Sequence, residues 1–382
     1  MMGIHSKLKH LNEKQIEELI ERYYSNEKVA DLISYFEIDC KPADLVKFFP
    51  PEKLKDIFCP YCKIEMVKKR ISRDRNDIFI YCPNCNHKFE DNNCKCDNCE
   101  MTKFNIINEL CSRDIKKVNI SELSFIERVY LATVLRGIDW EELMNEIRIF
   151  PLNSTDKKLL PRYEKEVEIL KKLFNKGIIK IDFLSDFDAF TGSIADGTYA
   201  KNFYVHKARY ILNMKYSTEL INPNIDLKNE DLDEIYSLLR YLLLEECYEY
   251  LDFQMGKVGF SFNPGKITEE VFNELLNNFS IGQVYNIIYT SITRATRYYQ
   301  EGGVYRKQAA NSVVTRCRSY GERILANGWD LKPFNRSREC EESILSSLFF
   351  NRILSIGDNY FNIIFSKENF ENIIDEKLNN SI

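Results

Sequence analysis

Seven of the twelve cysteines in this chain lie between residues 59 and 99, at spacings that suit metal coordination. The two sulfurs of a Cys-x-x-Cys turn can reach one ion, and two such turns supply the four ligands of a closed, tetrahedral zinc site. The sequence therefore predicts a first Zn²⁺ site formed by two pairs, Cys59 with Cys62 and Cys82 with Cys85.

The remaining ligand types form a second set of four, namely His87, Cys94, Cys96 and Cys99. Three thiolates and one imidazole also hold structural zinc, so the predicted cofactor is two zinc ions. Cys111 is the alternative fourth ligand if His87 points away from the ion, and the sequence leaves this choice open. Metal binding is expected to supply much of the folding free energy of so small a module.

Each Cys-x-x-Cys turn has a proline after its first cysteine, and proline fixes φ in a way that shapes the turn. Asn86 follows the second turn and is a residue type that tolerates a left-handed conformation. Lys63 occupies the equivalent place after the first turn, where the same conformation is less favourable.

Composition indicates a multidomain globular protein, because 382 residues with 44% hydrophobic content exceed one ordinary core. The first residues lack the apolar segment of an export signal, and no run approaches the ~18 apolar residues of a membrane span. We therefore expect a cytoplasmic protein without a membrane partner, in a reducing compartment where metal binding is favoured over disulfides. The cysteines outside the cluster are predicted to be buried apolar residues: Cys40, Cys111, Cys247, Cys317 and Cys340.

The net charge of −5 does not by itself indicate a nucleic-acid-binding protein, but basic residues are concentrated locally. The segment from Lys63 to Arg75 carries six of them. The predicted nucleic-acid contacts in this segment are Lys68, Lys69, Arg70 and Arg73.

Three short helices are predicted in the first fifty residues. Asn12 caps a helix through Tyr24, a second spans residues 28–36, and Pro42 begins a third that ends before Pro50. The apolar positions of this segment are Ile16, Ile20, Val29, Ala30, Ile33, Ile38, Leu45 and Val46.

This pattern over residues 11–50 resembles the helix-turn-helix of resolvase-type recombinases and many bacterial regulators. The resemblance implies that the third helix enters the major groove, with Lys41, Ala43, Asp44 and Lys47 nearest the bases. Lys41 and Lys47 are therefore predicted DNA contacts. The alternative is a small helical bundle that only packs on its neighbours.

Residues 64–71 and 77–81 are predicted to pair as a hairpin that turns near residues 73–76. Ile64, Met66, Ile78 and Ile80 would form its apolar face. This succession of turn, hairpin and turn resembles a zinc ribbon, in a module of residues 58–99. Zinc ribbons bind DNA, RNA or protein, and the basic hairpin favours nucleic acid; a solvated charged turn is the alternative.

Residues 100–382 resemble no family that the sequence identifies. Helices are predicted at residues 121–136, 139–150 and 161–175, followed by strands at 178–181 and 203–214, which is the element order of a winged helix. Further helices are predicted at residues 230–252, 268–278, 284–300, 305–326 and 340–354.

The predicted fold class is mainly α and multidomain, with a zinc-ribbon β-hairpin module and an α-rich body that has a few strands. The predicted domains are a helix-turn-helix over residues 1–51, a zinc-ribbon region over 52–104, a winged-helix-like domain over 105–220 and a helical domain over 221–382.

Catalytic motifs are scarce. The sequence has no glycine-rich phosphate loop, Gly-x-Ser-x-Gly or His-Glu-x-x-His, and only four histidines, so a non-enzymatic role is favoured. Asp182, Asp186 and Asp188 follow a predicted strand, where magnesium-binding carboxylates occur. A capping and turn segment is the favoured interpretation of these three residues.

A late helix presents Arg316, Tyr320 and Arg323 at helical spacing, and Arg294, Arg297 and Tyr298 lie on the helix before it. Such a face could grip phosphate. The favoured alternative pairs its arginines with the acidic helix of residues 230–252 inside the protein.

These features together predict a zinc-containing DNA-binding protein of bacterial or phage origin: a regulator, a mobile-element accessory protein or a phage-defence component. One alternative is an assembly subunit whose zinc ions stiffen a surface for a protein partner. The other is a metal-dependent nuclease that uses the loop of residues 182–188.

Overall fold

The computed structural model describes residues 4–92, 94–112, 116–143, 145–215 and 231–380. Within these ranges the fold is mainly helical with two small antiparallel sheets, which confirms the predicted fold class. Contacts divide the chain into an N-terminal unit, Met1–Ser112 with Phe190–Phe203, and a C-terminal unit, Arg113–Ala189 with Tyr204–Ile382. The four-domain division stays a prediction, and its boundary at residues 220–221 lies outside the described residues.

The N-terminal unit begins with helices α1 (Glu13–Tyr24) and α2 (Val29–Tyr35), close to their predicted bounds. Asn12 caps α1 as predicted: its Oδ1 accepts from the Gln15 N–H at 3.0 Å, and Gln15 Oε1 accepts from the Asn12 N–H at 2.9 Å. The third element, Pro42–Phe48, is a 3₁₀ helix rather than an α-helix. The identity of this segment as a helix-turn-helix stays a prediction.

A three-stranded sheet follows, in the order β1 (Glu52–Phe58), β2 (Glu65–Lys68) and β3 (Ile80–Tyr81). The β2–β3 hairpin agrees with the predicted pairing, whereas β1 was not predicted. The predicted apolar face of the hairpin is only partly buried. Met66 is fully buried, but the side chains of Ile64 and Ile78 are 39% and 67% exposed, because the paired part of the hairpin is shorter than expected. Helix α3 (Asp97–Cys111) completes this part of the chain.

The C-terminal unit begins with α4 (Phe125–Gly137), which Ser124 caps, and continues into a hairpin of β4 (Trp140–Leu143) and β5 (Glu146–Ile149). The helix predicted over residues 139–150 is therefore wrong, and with it the element order on which the winged-helix prediction depended. Asn145 adopts the left-handed φ of 59° between the strands. Strand β5 lies inside a four-stranded sheet, and its residues Ile147 and Ile149 are buried.

The sheet order is β4-β5-β7-β6, with β6 at Ile179–Ile181 and β7 at Tyr210–Leu212, near the two predicted strands. Helix α5 (Tyr163–Asn175) precedes β6. The remaining helices are α6 (Leu232–Lys257), α7 (Lys266–Asn278), α8 (Ile281–Gln300), α9 (Arg306–Asn327), α10 (Ile344–Ser347) with a following π-helix (Leu348–Ile353), and α11 (Lys367–Asn380).

The helix predicted over residues 340–354 begins only at Ile344 and passes into the π-helix, so it is neither as long nor as regular as expected. Ser280 caps the N-terminus of helix α8, and Gly282 in the first turn of the helix allows close packing. A Cβ at Gly282 would lie 2.4 Å from the Phe334 carbonyl oxygen and 2.7 Å from that of Phe361. Only glycine fits this backbone approach.

The acidic residues of α6 are paired within the C-terminal unit, but not with the arginines of α9 as the sequence favoured. Glu245 accepts from Arg162 at 2.6 and 2.8 Å, and Glu249 pairs with Lys158. Glu246 is fully buried and accepts from Arg336 at 2.7 Å. The expected pairing was wrong because the α6 carboxylates pair with basic side chains outside α8 and α9, which the sequence pattern did not single out.

Candidate metal centres

The four sulfurs of Cys59, Cys62, Cys82 and Cys85 converge, with every pair within 4.8 Å. Sγ of Cys59 lies 3.7 Å from Sγ of Cys85. A tetrahedron of thiolates at a Zn–S distance of about 2.3 Å has sulfurs about 3.8 Å apart. The first predicted set therefore has the dimensions of a zinc site.

The two turns that carry these cysteines have the same backbone conformation. The Lys63 N–H donates to the Cys59 carbonyl at 3.0 Å, and the Asn86 N–H donates to the Cys82 carbonyl at 2.9 Å. Lys63 and Asn86 both adopt the left-handed region, with φ of 56° and 57°. The repeated cysteine–proline pattern thus encodes two equivalent turns, one of which places a lysine where the backbone favours glycine or asparagine.

Hydrogen-bond donors lie near the sulfurs of Cys59, Cys62 and Cys82 in this first cluster, while burial raises the pKa of the Cys59 and Cys85 thiols. The Cys62 N–H lies 3.5 Å from Cys59 Sγ, and the Asn84 side-chain amide donates to Cys62 Sγ at 3.3 Å. Burial acts to raise the pKa of the Cys82 thiol, but backbone N–H groups of Cys85 and Asn84 donate to its sulfur and bring the pKa below the usual value. Such outer contacts orient metal ligands.

The second cluster contains His87, Cys94, Cys96 and Cys99, whose ligand atoms also lie within 4.8 Å of one another. His87 Nδ1 is 3.1 Å from Cys99 Sγ and 3.9 Å from Cys96 Sγ. An ion bound by one nitrogen and one sulfur separates these atoms by about 3.6 Å, between the two observed distances. The geometry groups His87 with the three thiols, while Cys111 lies in the last turn of α3, outside the cluster.

Helix α3 positions two of these thiols. Cys96 is the residue that caps its N-terminus, and Cys99 lies in its first turn. The positive end of the helix dipole favours thiolates there, but burial raises the pKa of Cys96 to about 12 and raises that of Cys99 as well. A bound Zn²⁺ would deprotonate both thiols. Burial acts to raise the pKa of the Cys94 thiol, but the backbone N–H groups of Lys88 and Cys96 bring that pKa below the usual value.

Tyr61 was missed as a functional residue, since the sequence presents it only as a spacer between Cys59 and Cys62. Its hydroxyl lies 3.4 Å from Cys99 Sγ, and its ring packs edge-on against the His87 ring at 5.1 Å. Burial and the neighbouring Cys99 sulfur raise the pKa of Tyr61 to about 12. The only signal in the sequence was an aromatic residue inside a metal-binding turn.

Both clusters therefore fit zinc, and the cofactor prediction of two ions is confirmed at the level of ligand geometry. Each set supplies four ligands and leaves no coordination position for water or substrate. Closed sites of this kind are structural. The ions would hold the turns, the β2–β3 hairpin and the start of α3 together.

The predicted DNA contacts occupy different places in the N-terminal unit. A cavity of about 1200 Å³, here called the basic groove, lies between the 3₁₀ helix and the hairpin. Its charged lining residues are Lys47, Lys69, Arg70, Arg75 and Lys88, with Asp74 and Asp91. Lys68 lines a second cavity of about 560 Å³, and exposed Lys41 caps the 3₁₀ helix.

Two of the predicted contacts also make structural hydrogen bonds. The Arg73 guanidinium donates to the carbonyls of Tyr23 at 3.1 Å and Glu27 at 2.9 Å, and Arg70 Nε donates to the Pro50 carbonyl at 3.2 Å. Arg73 thus satisfies carbonyls at the end of α1. These bonds fix the hairpin against the helices and so define the walls of the basic groove.

The aspartates considered for magnesium do not converge. Asp182 is fully buried and accepts from Arg148 at 2.5 Å, and exposed Asp188 pairs with Lys207 at 3.0 Å. Within the described ranges, the two cysteine and histidine sets are the groups whose ligand atoms lie close enough for one ion. The favoured structural interpretation of this loop agrees with these contacts.

Comparison with known proteins does not add a relative: no protein-family model, curated protein or solved structure matches this chain. None of the helices in the described ranges combines the length and apolar character needed to cross a lipid bilayer.

Proposed function

We propose that this chain is a zinc-containing DNA-binding protein, and that the basic groove of the N-terminal unit is its DNA-binding surface. The observation that carries the proposal is the position of Lys47, on the 3₁₀ helix, across the groove from Lys69 and Arg70 on the hairpin. Cations from separate segments that line one groove can follow a phosphate backbone.

The groove also has an apolar and aromatic component. Ile78, Phe79 and Phe89 line it, and their side chains are 67%, 49% and 37% exposed. Exposed aromatic rings beside lysines are the composition of surfaces on which bases stack. Lys41 and Lys68 lie outside the groove lining and would contact flanking phosphates, while Arg73 would act mainly by holding the hairpin in place.

Zinc has an indirect part in this proposal. The turns at Cys59 and Cys82 flank β2 and β3, so the ions would fix the hairpin that carries Lys69 and Arg70. A regulator, a mobile-element accessory protein and a phage-defence component all require this type of DNA contact. DNA binding by the basic groove is common to the three roles, which stay alternatives.

Salt-dependent binding of the full zinc-loaded chain to labelled duplex and single-stranded DNA tests the proposal. Lys47→Ala with Lys69→Ala should weaken binding and reduce the slope of log affinity against log salt by about two units. Each lost phosphate contact means that nearly one counterion fewer is released on binding. Lys53→Ala with Lys55→Ala is the matched control, since both lysines are exposed on β1 outside the groove lining.

Equal affinity and slope in the groove variant and the β1 control would contradict a DNA-binding groove. A zinc-stiffened protein-docking surface would then be the better interpretation, and the exposure of Phe58, at 55%, favours it together with Ile78. That alternative expects Phe58→Ala with Ile78→Ala to abolish a protein interaction while leaving zinc content unchanged.

A further inference from the structure

A second basic surface lies on helices α8 and α9 of the C-terminal unit. Arg294 of α8 stacks over the Tyr320 ring of α9 at 4.2 Å, and Arg316 of α9 stacks over the Tyr298 ring of α8 at 5.1 Å. Each helix thus contributes an arginine and, four residues later, a tyrosine that receives the arginine of the other helix. We call this surface, with Arg297 and Arg323, the Arg–Tyr face.

The arginines of this face have no acidic partners in the part of the chain that the structure describes. Among the described residues, no carboxylate oxygen lies within 4 Å of Arg294, Arg297, Arg316 or Arg323. Helices α8 and α9 together carry seven lysines and arginines and one acidic residue, Glu322, in a chain whose net charge is −5. Within the ranges that the structure describes, Arg318 is the one member of the seven that forms an ion pair, with Glu274 at 2.8 Å.

Hydrogen bonds from Nε orient two of the guanidinium groups and do not use their terminal Nη atoms. Arg316 Nε donates to Ser312 Oγ at 3.0 Å, and Arg323 Nε donates to the Ser319 carbonyl at 3.2 Å. These bonds and the tyrosine stacks restrict the side chains before any ligand binds, which lowers the entropy cost of binding. The two arginines are two helical turns apart, about 10 Å along the axis.

We propose that the Arg–Tyr face binds the sugar–phosphate backbone of a nucleic-acid strand. Unpaired guanidinium groups complement phosphates, and a row of them spaced along two helices fits a polyanion better than a single small anion. Tyr298 is 40% exposed and can stack on a base or donate to a phosphate oxygen. This site is separate from the basic groove and does not depend on it.

The test uses the full zinc-loaded protein and a fluorescein-labelled thirty-nucleotide oligothymidine, with a random duplex of the same length for comparison. Arg316→Gln with Arg323→Gln should lower affinity about tenfold or more at moderate salt and reduce the salt slope by about 1.5 units. The melting temperature should stay unchanged, because exposed charges contribute little to folding. Arg316→Lys with Arg323→Lys should retain most of the slope.

Lys171→Gln with Arg338→Gln is the matched control, since both side chains are exposed in the same unit and form no ion pair in the described residues. Affinity and slope equal to those of this control would overturn the proposal. So would unchanged DNA binding combined with lost binding to polyglutamate, which would assign the face to an acidic protein. A large fall in melting temperature would overturn it too, since the arginines would then be structural.

Variants of the two surfaces separate this proposal from the proposed function. If the basic groove is inert, its lysine variant binds like wild type while the Arg–Tyr variant still loses affinity. If only the groove binds DNA, the opposite result is obtained. Where both surfaces bind, the combined variant should show the sum of the two changes in slope.

Discussion

The hydroxyl of Tyr61 lies 3.4 Å from Sγ of Cys99, so a residue within the first metal-binding turn contacts a ligand of the second cluster. A backbone bond links the clusters a second time, because the Cys82 N–H donates to the carbonyl of His87 at 2.8 Å. The two predicted zinc sites are therefore parts of one structural module, joined by a side-chain contact and a backbone hydrogen bond.

Replacing Tyr61 with Phe should weaken the second zinc site and spare the first. The change removes the hydroxyl next to Cys99 and keeps the ring that packs on His87. Loss of an outer-shell hydrogen bond typically lowers metal affinity about 10- to 100-fold. Competition with a chromophoric chelator measures this, and Tyr81→Phe is the control because Tyr81 is on β3 and in neither ligand set. If the variant and the wild-type protein released both ions at the same chelator concentrations, the predicted role of the Tyr61 hydroxyl at the second site would be contradicted.

Elemental analysis of the reduced wild-type protein should return two zinc ions per chain. Cys82→Ser should lose the first ion and unfold the ribbon, because thiolate binding supplies folding free energy that the small core cannot replace. Most of the helical circular dichroism should remain, since α4–α11 belong to the C-terminal unit. Cys111→Ser should retain both ions. A wild-type value of one zinc or none would refute the two-ion prediction.

The parts of this structure that the sequence predicted are those that local chemistry determines. The Cys-x-x-Cys spacing, the Asn12 cap and the apolar periodicity of α6–α9 each depend on residues close together in the chain. Local rules of turn formation and capping are sufficient for such features. The second cluster was also correctly grouped, although the helix that presents Cys99 was not foreseen.

The failures concern interactions between segments far apart in the chain. Residues 140–149 have helix-compatible composition, yet β5 pairs with β7, more than sixty residues later, and tertiary pairing overrides the local preference. The acids of α6 offered several basic partners, and sequence alone did not distinguish Arg162 from Arg316. The basic groove likewise depends on the packing of Lys47 near the hairpin, which no local pattern encodes.

Replacing Lys63 with Gly should stabilise the zinc ribbon. Lys63 has the same left-handed conformation as Asn86, and this conformation costs an ordinary L-residue about 1–2 kcal/mol that glycine does not incur. Greater freedom of glycine in the unfolded chain offsets part of the gain, so we expect a net stabilisation of about 0.5–1 kcal/mol. Slower zinc transfer to a chelator and a higher ribbon melting temperature would report it. Exposed Lys69→Gly, where φ is not positive, should destabilise instead.

Thiol reactivity should divide the twelve cysteines into groups that the structure defines. In the zinc-loaded protein the seven ligand thiolates should react slowly, and a chelator should make all seven reactive. Cys247, Cys317 and Cys340 should stay unreactive in both states, because they are buried in the C-terminal unit. Mass spectrometry after brief alkylation at pH 8 identifies the labelled residues, and labelling in denaturant provides the total.

The stability of the C-terminal unit should depend on pH through the pKa values of its buried thiols. Burial raises the pKa of Cys317 to about 12, and burial with the nearby Glu249 carboxylate raises that of Cys340 to about 11. Both thiols are therefore neutral in the folded protein at pH 9, near the ordinary cysteine pKa of the unfolded chain. Their contribution to stability is complete below that pH and is lost as pH rises toward 11 and 12. Alkylation of Cys317 in the folded protein at pH 9 would contradict its burial, whereas a fall in melting temperature between pH 9 and 11 that Cys317→Ala reduces would support it.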